Sequence, residues 1–393
     1  MKSWKFDFGP ANSVADGYIG VTADMEYSQE RGYGFLGIGP DAHLCDRRFD
    51  GFSMQEGQRI KLQEVSKPNP VTVDDDAIGV TDPAMPIRFA VHVEPNTYYK
   101  VKVTLTGADR SKDARINLFS ERRHILLTEK LIPAGTSLTY EFSVNVQNVY
   151  SKHTGTYIDD MLNIVVCGEN AAISSAEIQQ TEPGKTLWVL GDSTVCDQYA
   201  PLPYFNLQNY AGVGQALGKY LGPHIALSNH GEGGLNAYSS KPHFAQFREN
   251  IKPGDIVYFE FGHNHKQDGP TGFYNGISHY YDYIHQKGAS FIIVGPIDRH
   301  NAPQYNEETN TWSSTLQGFS EIGKRYVDEK IAEGATDIAF VDLNAPSLAW
   351  YSQLCKELGM KEKSADYYFK VAHGDEKVDG THPNDAGVDV FAK

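Results

Sequence analysis

The chain reads as an α/β protein built on a parallel sheet covered by helices, preceded by an all-β sandwich or jelly roll. Three observations predict this. Up to about residue 178 the sequence is a succession of short alternating or aromatic-rich runs separated by Gly, Pro, Asn and Asp. The polar stretch Gln179-Gln180-Thr181-Glu182-Pro183-Gly184 follows, and beyond Lys185 apolar runs alternate with helix-length segments. Period-two patterning with frequent turn residues marks antiparallel strands. Strand–helix alternation marks a parallel sheet whose crevice lies at the carboxyl ends of its strands. The expected division is a β domain over 1–178, a linker over 179–184 and an α/β domain over 185–393, and 393 residues are enough for two cores.

In the first part, strands are expected at Trp4-Lys5-Phe6-Asp7-Phe8 and at 88–93, 98–105, 138–144 and 162–166, where apolar and polar residues alternate or β-branched residues cluster. In the second part, apolar runs at 187–190, 225–229, 256–261, 290–294 and 338–342 read as buried parallel strands. Segments 212–221, 273–287 and 316–333 read as the intervening helices, and a short helix is expected after Pro383.

The net charge of −15 and the lack of any Lys/Arg-rich block argue against nucleic acid and anionic membrane surfaces as partners. No run approaches the roughly 18 apolar residues of a membrane span. Cys45, Cys167, Cys196 and Cys355 are scattered without paired spacing, which reads as free thiols in a reducing compartment. A cytoplasmic location is the expectation, with secretion after removal of a leader as the alternative. No pattern specifies an oligomeric state.

The chemistry is expected where the strands end. Leu187-Trp188-Val189-Leu190 runs into Gly191-Asp192-Ser193-Thr194. A hydroxyl delivered into a crevice at a strand end is one reading; a helix cap formed by Asp192 and Ser193 is the other, and on the tripeptide alone the two are equal. The second strand enters the glycine-rich Asn229-His230-Gly231-Glu232-Gly233-Gly234-Leu235-Asn236, and the third enters Gly262-His263-Asn264-His265. Near the chain end, Asp379 and His382 lie three residues apart, a spacing that a loose helical turn would close. Together these supply acyl-transfer machinery. A serine hydroxyl needs a base to take its proton, an imidazole can do so near neutrality, and a carboxylate orients the ring. Ser193, His382 and Asp379 fill those roles, and the N–H groups of Ser193 and Gly234 with the Asn264 amide are the candidate oxyanion donors.

These four blocks, in this order, resemble those of SGNH (GDSL-type) hydrolases over about residues 185–393. Gly-Asp-Ser-Thr with Gly-His-Asn and Asp-Gly-Thr-His is most similar to the rhamnogalacturonan acetylesterases. The resemblance implies a flavodoxin-like three-layer fold, no metal or other cofactor, and removal of O-acetyl groups from plant cell-wall polysaccharide or oligosaccharide. It assigns the nucleophile to Ser193, the acid and base to Asp379 and His382, and the oxyanion hole to Ser193, Gly234 and Asn264. In the first part, Phe6-Asp7-Phe8-Gly9, Asp16-Gly17-Tyr18 and Tyr27 with Arg31-Gly32-Tyr33-Gly34-Phe35 resemble the galactose-binding-like β-domain that precedes some bacterial agarases and esterases. Such a domain would hold carbohydrate, complete the substrate cleft or only stabilise the enzyme.

Three departures from the family pattern stand out. His265 occupies a position usually held by Asp and is expected to support the turn. Leu235-Asn236 replaces the usual Arg-Ser, which makes Gly234 rather than Gly233 the chosen oxyanion glycine. The helix after Pro383 has few residues before Lys393. The competing readings are an esterase for other acyl substrates (xylan acetyl, lipid or thioester) and a carbohydrate-binding protein with an inactive hydrolase half, because the blocks encode chemistry and not the alcohol.

Other motifs take plainer readings. His263 and His265, on alternate positions, make a poor metal pair. Asp74-Asp75-Asp76 lacks the alternating ligand pattern of a calcium loop and reads as a solvated turn. Cys196 reads as a small buried residue, Asp192 as a turn-fixing residue, and Tyr199, Tyr204 and Phe205 as core or cleft aromatics. A lipase-type Gly-x-Ser-x-Gly turn is absent, which disfavours an α/β-hydrolase.

Overall fold

The computed structural model describes residues 1–37, 52–54, 70–73, 76–182, 184–206, 209–300, 304–358, 369–371 and 378–393. Cys45, Asp74, Asp75 and Pro183 lie outside the described residues. The strands of the first part that matter below are β1 (Ser3–Phe8), β2 (Ile87–His92), β3 (Thr97–Gly107), β4 (Ala114–Ser120), β5 (His124–Ile132), β6 (Ser137–Val146), β7 (Val149–Ser151), β8 (Gly155–Tyr157), β9 (Met161–Glu169) and β10 (Ala171–Gln180). One sheet runs β1-β10-β3-β6 and the facing sheet runs β5-β4-β9-β2. In β3, Tyr99, Val101, Val103 and Leu105 are buried while Lys100 is exposed and Lys102 and Thr104 are partly so, the alternation a sheet with one core face requires. Phe89 lies at the centre of the sandwich, met edge-on by Phe6, Phe8 and Phe35 at centroid distances of 5.0, 4.9 and 5.5 Å.

The second part comprises β11 (Lys185–Gly191), β12 (Ile225–Asn229), α1 (Lys241–Phe247), β13 (Ile256–Glu260), α2 (Gly269–Gln286), β14 (Ser290–Gly295), α3 (Gln317–Ala332), β15 (Ile338–Asp342), α4 (Asn344–Leu358), β16 (Val378–Pro383) and α5 (Asp385–Ala392). Five of these strands form a parallel sheet in the order β12-β11-β13-β14-β15. Counted along this part the order is 2-1-3-4-5, the flavodoxin-like arrangement, whose switch point lies at the carboxyl end of the first strand. Trp188 of β11 is fully buried, stacks on Phe247 of α1 at 4.9 Å and donates its indole N–H to Asp255. The helix expected over 212–221 is shorter than its pattern: only Val213–Ala216 is α-helical and Leu217–Lys219 continues as a 3₁₀ turn. Gly214 and Gly218 inside that stretch weaken the α path. Among the described residues, no helix is long and apolar enough to cross a membrane.

The two parts share a sheet. β6 pairs in parallel with β12 at Val144 and Leu227, so a single twelve-stranded sheet runs from the β-rich part through the parallel strands. β10 extends to Gln180, two residues into the stretch read as a linker, and Thr181 N–H donates to Tyr98 carbonyl at 3.1 Å. What would be an exposed edge of the parallel sheet is thereby paired.

A second joint lies in the turn between β4 and β5, where Glu121 and Arg123 take positive φ angles of 49° and 63°. That conformation aims two arginines into the second part. Arg123 has no exposed surface; it donates to Asp385 at 2.9 Å, to the Gln198 carbonyl at 3.1 Å and to the Tyr210 carbonyl. Arg122 donates to Asp159, Asp197 and the Asn229 carbonyl at 3.2, 3.1 and 2.7 Å. Removing one partner of a buried ion pair strands the other charge, at a cost of about 3–5 kcal/mol. Arg123→Ala is therefore expected to lower the unfolding free energy by roughly that much in denaturant titrations, and a loss of under about 1 kcal/mol would show that the turn carries no such constraint.

Candidate active site

Ser193 follows the last residues of β11, at the switch point of the sheet. Gly191 lets the chain turn there, because a Cβ at that position would collide with the Val195 side chain. Asp192 is buried; its Oδ1 accepts from the Thr194 N–H and hydroxyl at 3.1 and 2.9 Å, and its carbonyl accepts from the N–H groups of Val195 and Cys196. Residues 193–199 form turns rather than a helix, so Asp192 and Ser193 do not cap one. The tight turn holds the half-exposed Ser193 at its crest.

The late block comes to this point from β16. His382 Nε2 lies 2.8 Å from Ser193 Oγ, and His382 Nδ1 lies 2.8 Å from Asp379 Oδ2. The approach of Asp379 to His382 is not helical, as the spacing suggested. The segment is extended, and the carboxylate folds back because its Oδ1 accepts from the Thr381 and His382 N–H groups at 2.9 and 3.3 Å. Tyr210 adds a hydroxyl donor to Asp379 Oδ2 at 2.9 Å and sets its ring edge-on to His382 at 5.4 Å. Burial alone would raise the Asp379 carboxyl, but the His382 contact, the Thr381 N–H and the Tyr210 hydroxyl hold it below the usual carboxylate range. His300 N–H donates to the Gly380 carbonyl at 2.7 Å and steadies the segment. Asn384 caps α5 through the N–H groups of Ala386 and Gly387, fixing where the chain leaves His382.

The glycine-rich loop brings Gly233 against Ser193: a Cβ there would sit 3.7 Å from Ser193 Cβ. Gly234 follows at φ 81°, a left-handed conformation that glycine adopts without strain. Asn264 donates one amide hydrogen to the Leu235 carbonyl at 3.0 Å, which ties the third block to the second and leaves the other hydrogen of the amide available. His263 is buried and accepts at Nδ1 from Arg299 at 3.3 Å. His265 accepts at Nε2 from the Ala237 N–H at 3.1 Å, so its Nδ1 carries the proton that faces Asp268 at 3.1 Å. Burial lowers the pKa of His265 and keeps the ring neutral, with Asp268 opposing that shift. The residue thus joins three turns.

Among the described residues no group of three or more His, Cys, Asp or Glu side chains is arranged to hold a metal. Cys167, Cys196 and Cys355 are buried and form no disulfide among the described residues, and burial pushes the Cys196 thiol well up. Tyr204 packs in the core and donates to Asp385 at 2.9 Å, whereas Phe205 is exposed. Tyr210, Arg299, His300 and Gln198, whose amide donates to the Ser193 carbonyl at 2.6 Å, carry no motif. Only their positions across the fold reveal them.

The 2-1-3-4-5 strand order and the Ser193–His382–Asp379 chain of hydrogen bonds bring a hydroxyl, an imidazole and a carboxylate together at the switch point of the sheet. The chain is homologous along its whole length to an uncharacterized esterase, YxiM of Bacillus subtilis (strain 168), with 26% identity over 412 residues covering 100% of this chain and 89% of that one. It is also homologous to the rhamnogalacturonan acetylesterase RhgT of the same organism, with 25% identity over 174 residues covering 42% of this chain and 67% of the relative. The family model for the beta-agarase/YXIM esterase-like, galactose-binding domain-like domain matches residues 4–43. The crystal structure of Bacillus subtilis YxiM is similar at 24% identity and a TM-score of 0.46, covering 100% of this chain and 96% of that chain.

A buried carboxyl lies beside the serine turn, where Glu260 pairs with Gly191 across the sheet. Glu260 ends β13, accepts from the Tyr258 hydroxyl at one oxygen and has no partner at Oε1 among the described residues. Burial pushes it up to about 8, with the Tyr258 bond opposing and the Asp192 charge adding to the rise. Its folded pKa is above the unfolded one, so the folded state holds a proton that the unfolded state releases, and stability falls as pH rises from about 4.5 to about 8. Glu260→Gln is expected to remove that dependence and raise stability at pH 8 by roughly a few kcal/mol while changing little near pH 4. Equal effects in thermal melts at both pH values would contradict it. Tyr210→Phe is expected to lower kcat by roughly tenfold through loss of one charge-assisted hydrogen bond to Asp379, read by steady-state kinetics alongside an unchanged melt; a wild-type kcat would remove Tyr210 from the site.

Proposed function

We propose that the protein is a carbohydrate O-acetylesterase acting on acetylated plant polysaccharide or oligosaccharide, with rhamnogalacturonan or pectin as the favoured substrate. The observation that carries the reading is the unbroken chain Ser193 Oγ, His382 Nε2, His382 Nδ1, Asp379 Oδ2, with both hydrogen bonds at 2.8 Å. Homology to RhgT, a rhamnogalacturonan acetylesterase, supports the choice of alcohol. On this reading residues 1–178 are the β domain, 179–184 the connection and 185–393 the catalytic domain.

The reaction runs in two halves. Ser193 Oγ attacks the acetyl carbonyl carbon as its proton passes to His382 Nε2, giving a tetrahedral oxyanion held by the N–H groups of Ser193 and Gly234 and the Asn264 amide. Collapse breaks the bond to the sugar oxygen, which leaves with the proton from His382, and the acetyl group stays on Ser193. Water then attacks the acetyl-enzyme with His382 as base, and acetate departs. Asp379 remains ionised throughout, orienting the ring and stabilising the imidazolium.

Ser193→Ala is expected to lower kcat for p-nitrophenyl acetate on the order of 10⁴-fold or more; an unchanged rate would overturn the mechanism. Asp379 is held ionised well below the ordinary carboxylate range, so loss of activity in weak acid is not expected from Asp379, whereas a histidine base gives a falling acid limb in the pH–rate profile; a flat profile down to about pH 5 would exclude a histidine as the base. Acetate release from acetylated rhamnogalacturonan, pectin and xylan oligosaccharides, set against hydrolysis of longer acyl esters, distinguishes the favoured substrate from the others.

A further inference from the structure

A cavity of about 250 Å³ lies between the β-rich part and the catalytic loops. One wall is the β7–β8 hairpin, contributing Tyr150, Lys152 and Tyr157; the opposite wall is the chain that follows Ser193, contributing Gln198 and Tyr199, with Glu232 from the glycine loop. The cavity adjoins the nucleophile through two of its lining residues: Gly233, whose Cβ position is 3.7 Å from Ser193 Cβ, and Gln198, which holds the Ser193 carbonyl at 2.6 Å.

The hairpin is fixed in place. Both Glu232 carboxylate oxygens are engaged by it, one accepting from the Ser151 hydroxyl at 3.0 Å and the other from the Lys152 N–H at 2.9 Å. His243 of α1 contacts the same carboxylate at 2.7 Å, and Tyr150 sets its ring edge-on to His243 at 5.1 Å. The Lys152 ammonium donates to the Gly233 carbonyl, and the Thr156 hydroxyl donates to Gln246 at 2.9 Å. The hairpin therefore supports the loop that carries the oxyanion glycine while leaving a space beside it.

The chemistry of the walls selects the occupant. Three phenol rings share the lining with the Arg122 guanidinium, the Asp197 and Glu232 carboxylates, the Gln198 amide and the Lys152 ammonium, and Val149 is the only aliphatic side chain among the described lining residues. An acyl chain would take these charged groups further from water without offering them a hydrogen bond. A pyranose ring suits them: its C–H face covers an aromatic ring, and its hydroxyls accept the ammonium hydrogens that Lys152 does not give to Gly233. We propose that this cavity is a saccharide subsite built jointly by the two parts, in which the β7–β8 hairpin holds one sugar residue of an acetylated oligosaccharide next to the residue that carries the ester. The proposal rests on the carbohydrate-esterase reading and assigns the β-rich part a share in the substrate site.

The test compares two substrates on the full chain. For Tyr150→Ala/Tyr157→Ala, the ratio of kcat/KM on acetylated rhamnogalacturonan oligosaccharides to kcat/KM on p-nitrophenyl acetate is expected to fall about tenfold or more, mainly through KM. Thr154→Trp, at the exposed tip of the hairpin, fills the cavity without removing a contact and is expected to lower the same ratio. An unchanged ratio in both variants, or equal losses on the two substrates, overturns the subsite. Should the wild-type chain hydrolyse neither substrate, the esterase reading falls, and titration of Ser193→Ala protein with the same oligosaccharides decides the subsite separately. Binding weakened about tenfold by Thr154→Trp supports it, and no binding overturns it.

Discussion

The buried contact between Arg123 and Asp385 is the constraint on which the rest of the site depends. Arg123 belongs to a turn of the β sandwich, Asp385 opens the helix that follows His382, and both side chains are almost wholly removed from solvent. A guanidinium in that position must satisfy its donors, and it does so on the Gln198 and Tyr210 carbonyls as well as on Asp385. Gln198 follows the serine turn and Tyr210 bonds Asp379, so one buried cation gathers the segments carrying Ser193, Asp379 and His382. The neighbouring Arg122 does the same for the second block through the Asn229 carbonyl. The β-rich part is thus joined to the second part through a shared sheet and a pair of arginines.

Electrostatics around Ser193 divide the titratable groups by environment. Asp379 is surrounded by donors and stays ionised, whereas at Glu260 burial and the nearby Asp192 charge outweigh the Tyr258 hydroxyl and the Ile297 backbone, and the carboxyl keeps its proton to about 8. His265, kept neutral by burial, works as a bracket between the Ala237 N–H and Asp268.

Much of this was legible in the sequence, because periodicity reports burial. The five apolar runs beyond residue 185 became the five parallel strands, and the alternating runs before it became sandwich strands. Glycine at 191, required by the turn before Ser193, and the four ordered blocks pointed to the residues that meet at the sheet's switch point. Local patterning misjudged connections instead. The 212–221 helix was cut short by its glycines, Asp379 reached His382 through an extended segment, and the stretch read as a linker begins as strand.

The sequence by itself determined the elements and the order of the four blocks, since these depend on side-chain chemistry and on contacts within a few residues. Only the tertiary structure decided that Ser193 and His382, 189 residues apart, lie within hydrogen-bond distance, that Tyr210 braces Asp379, and that Arg123 and the β7–β8 hairpin of the β-rich part reach the catalytic loops. Such contacts leave no periodic trace. A buried arginine in a hairpin turn and an exposed one have the same sequence neighbourhood, and the difference lies in which distant carbonyls and carboxylates folding places around the charge.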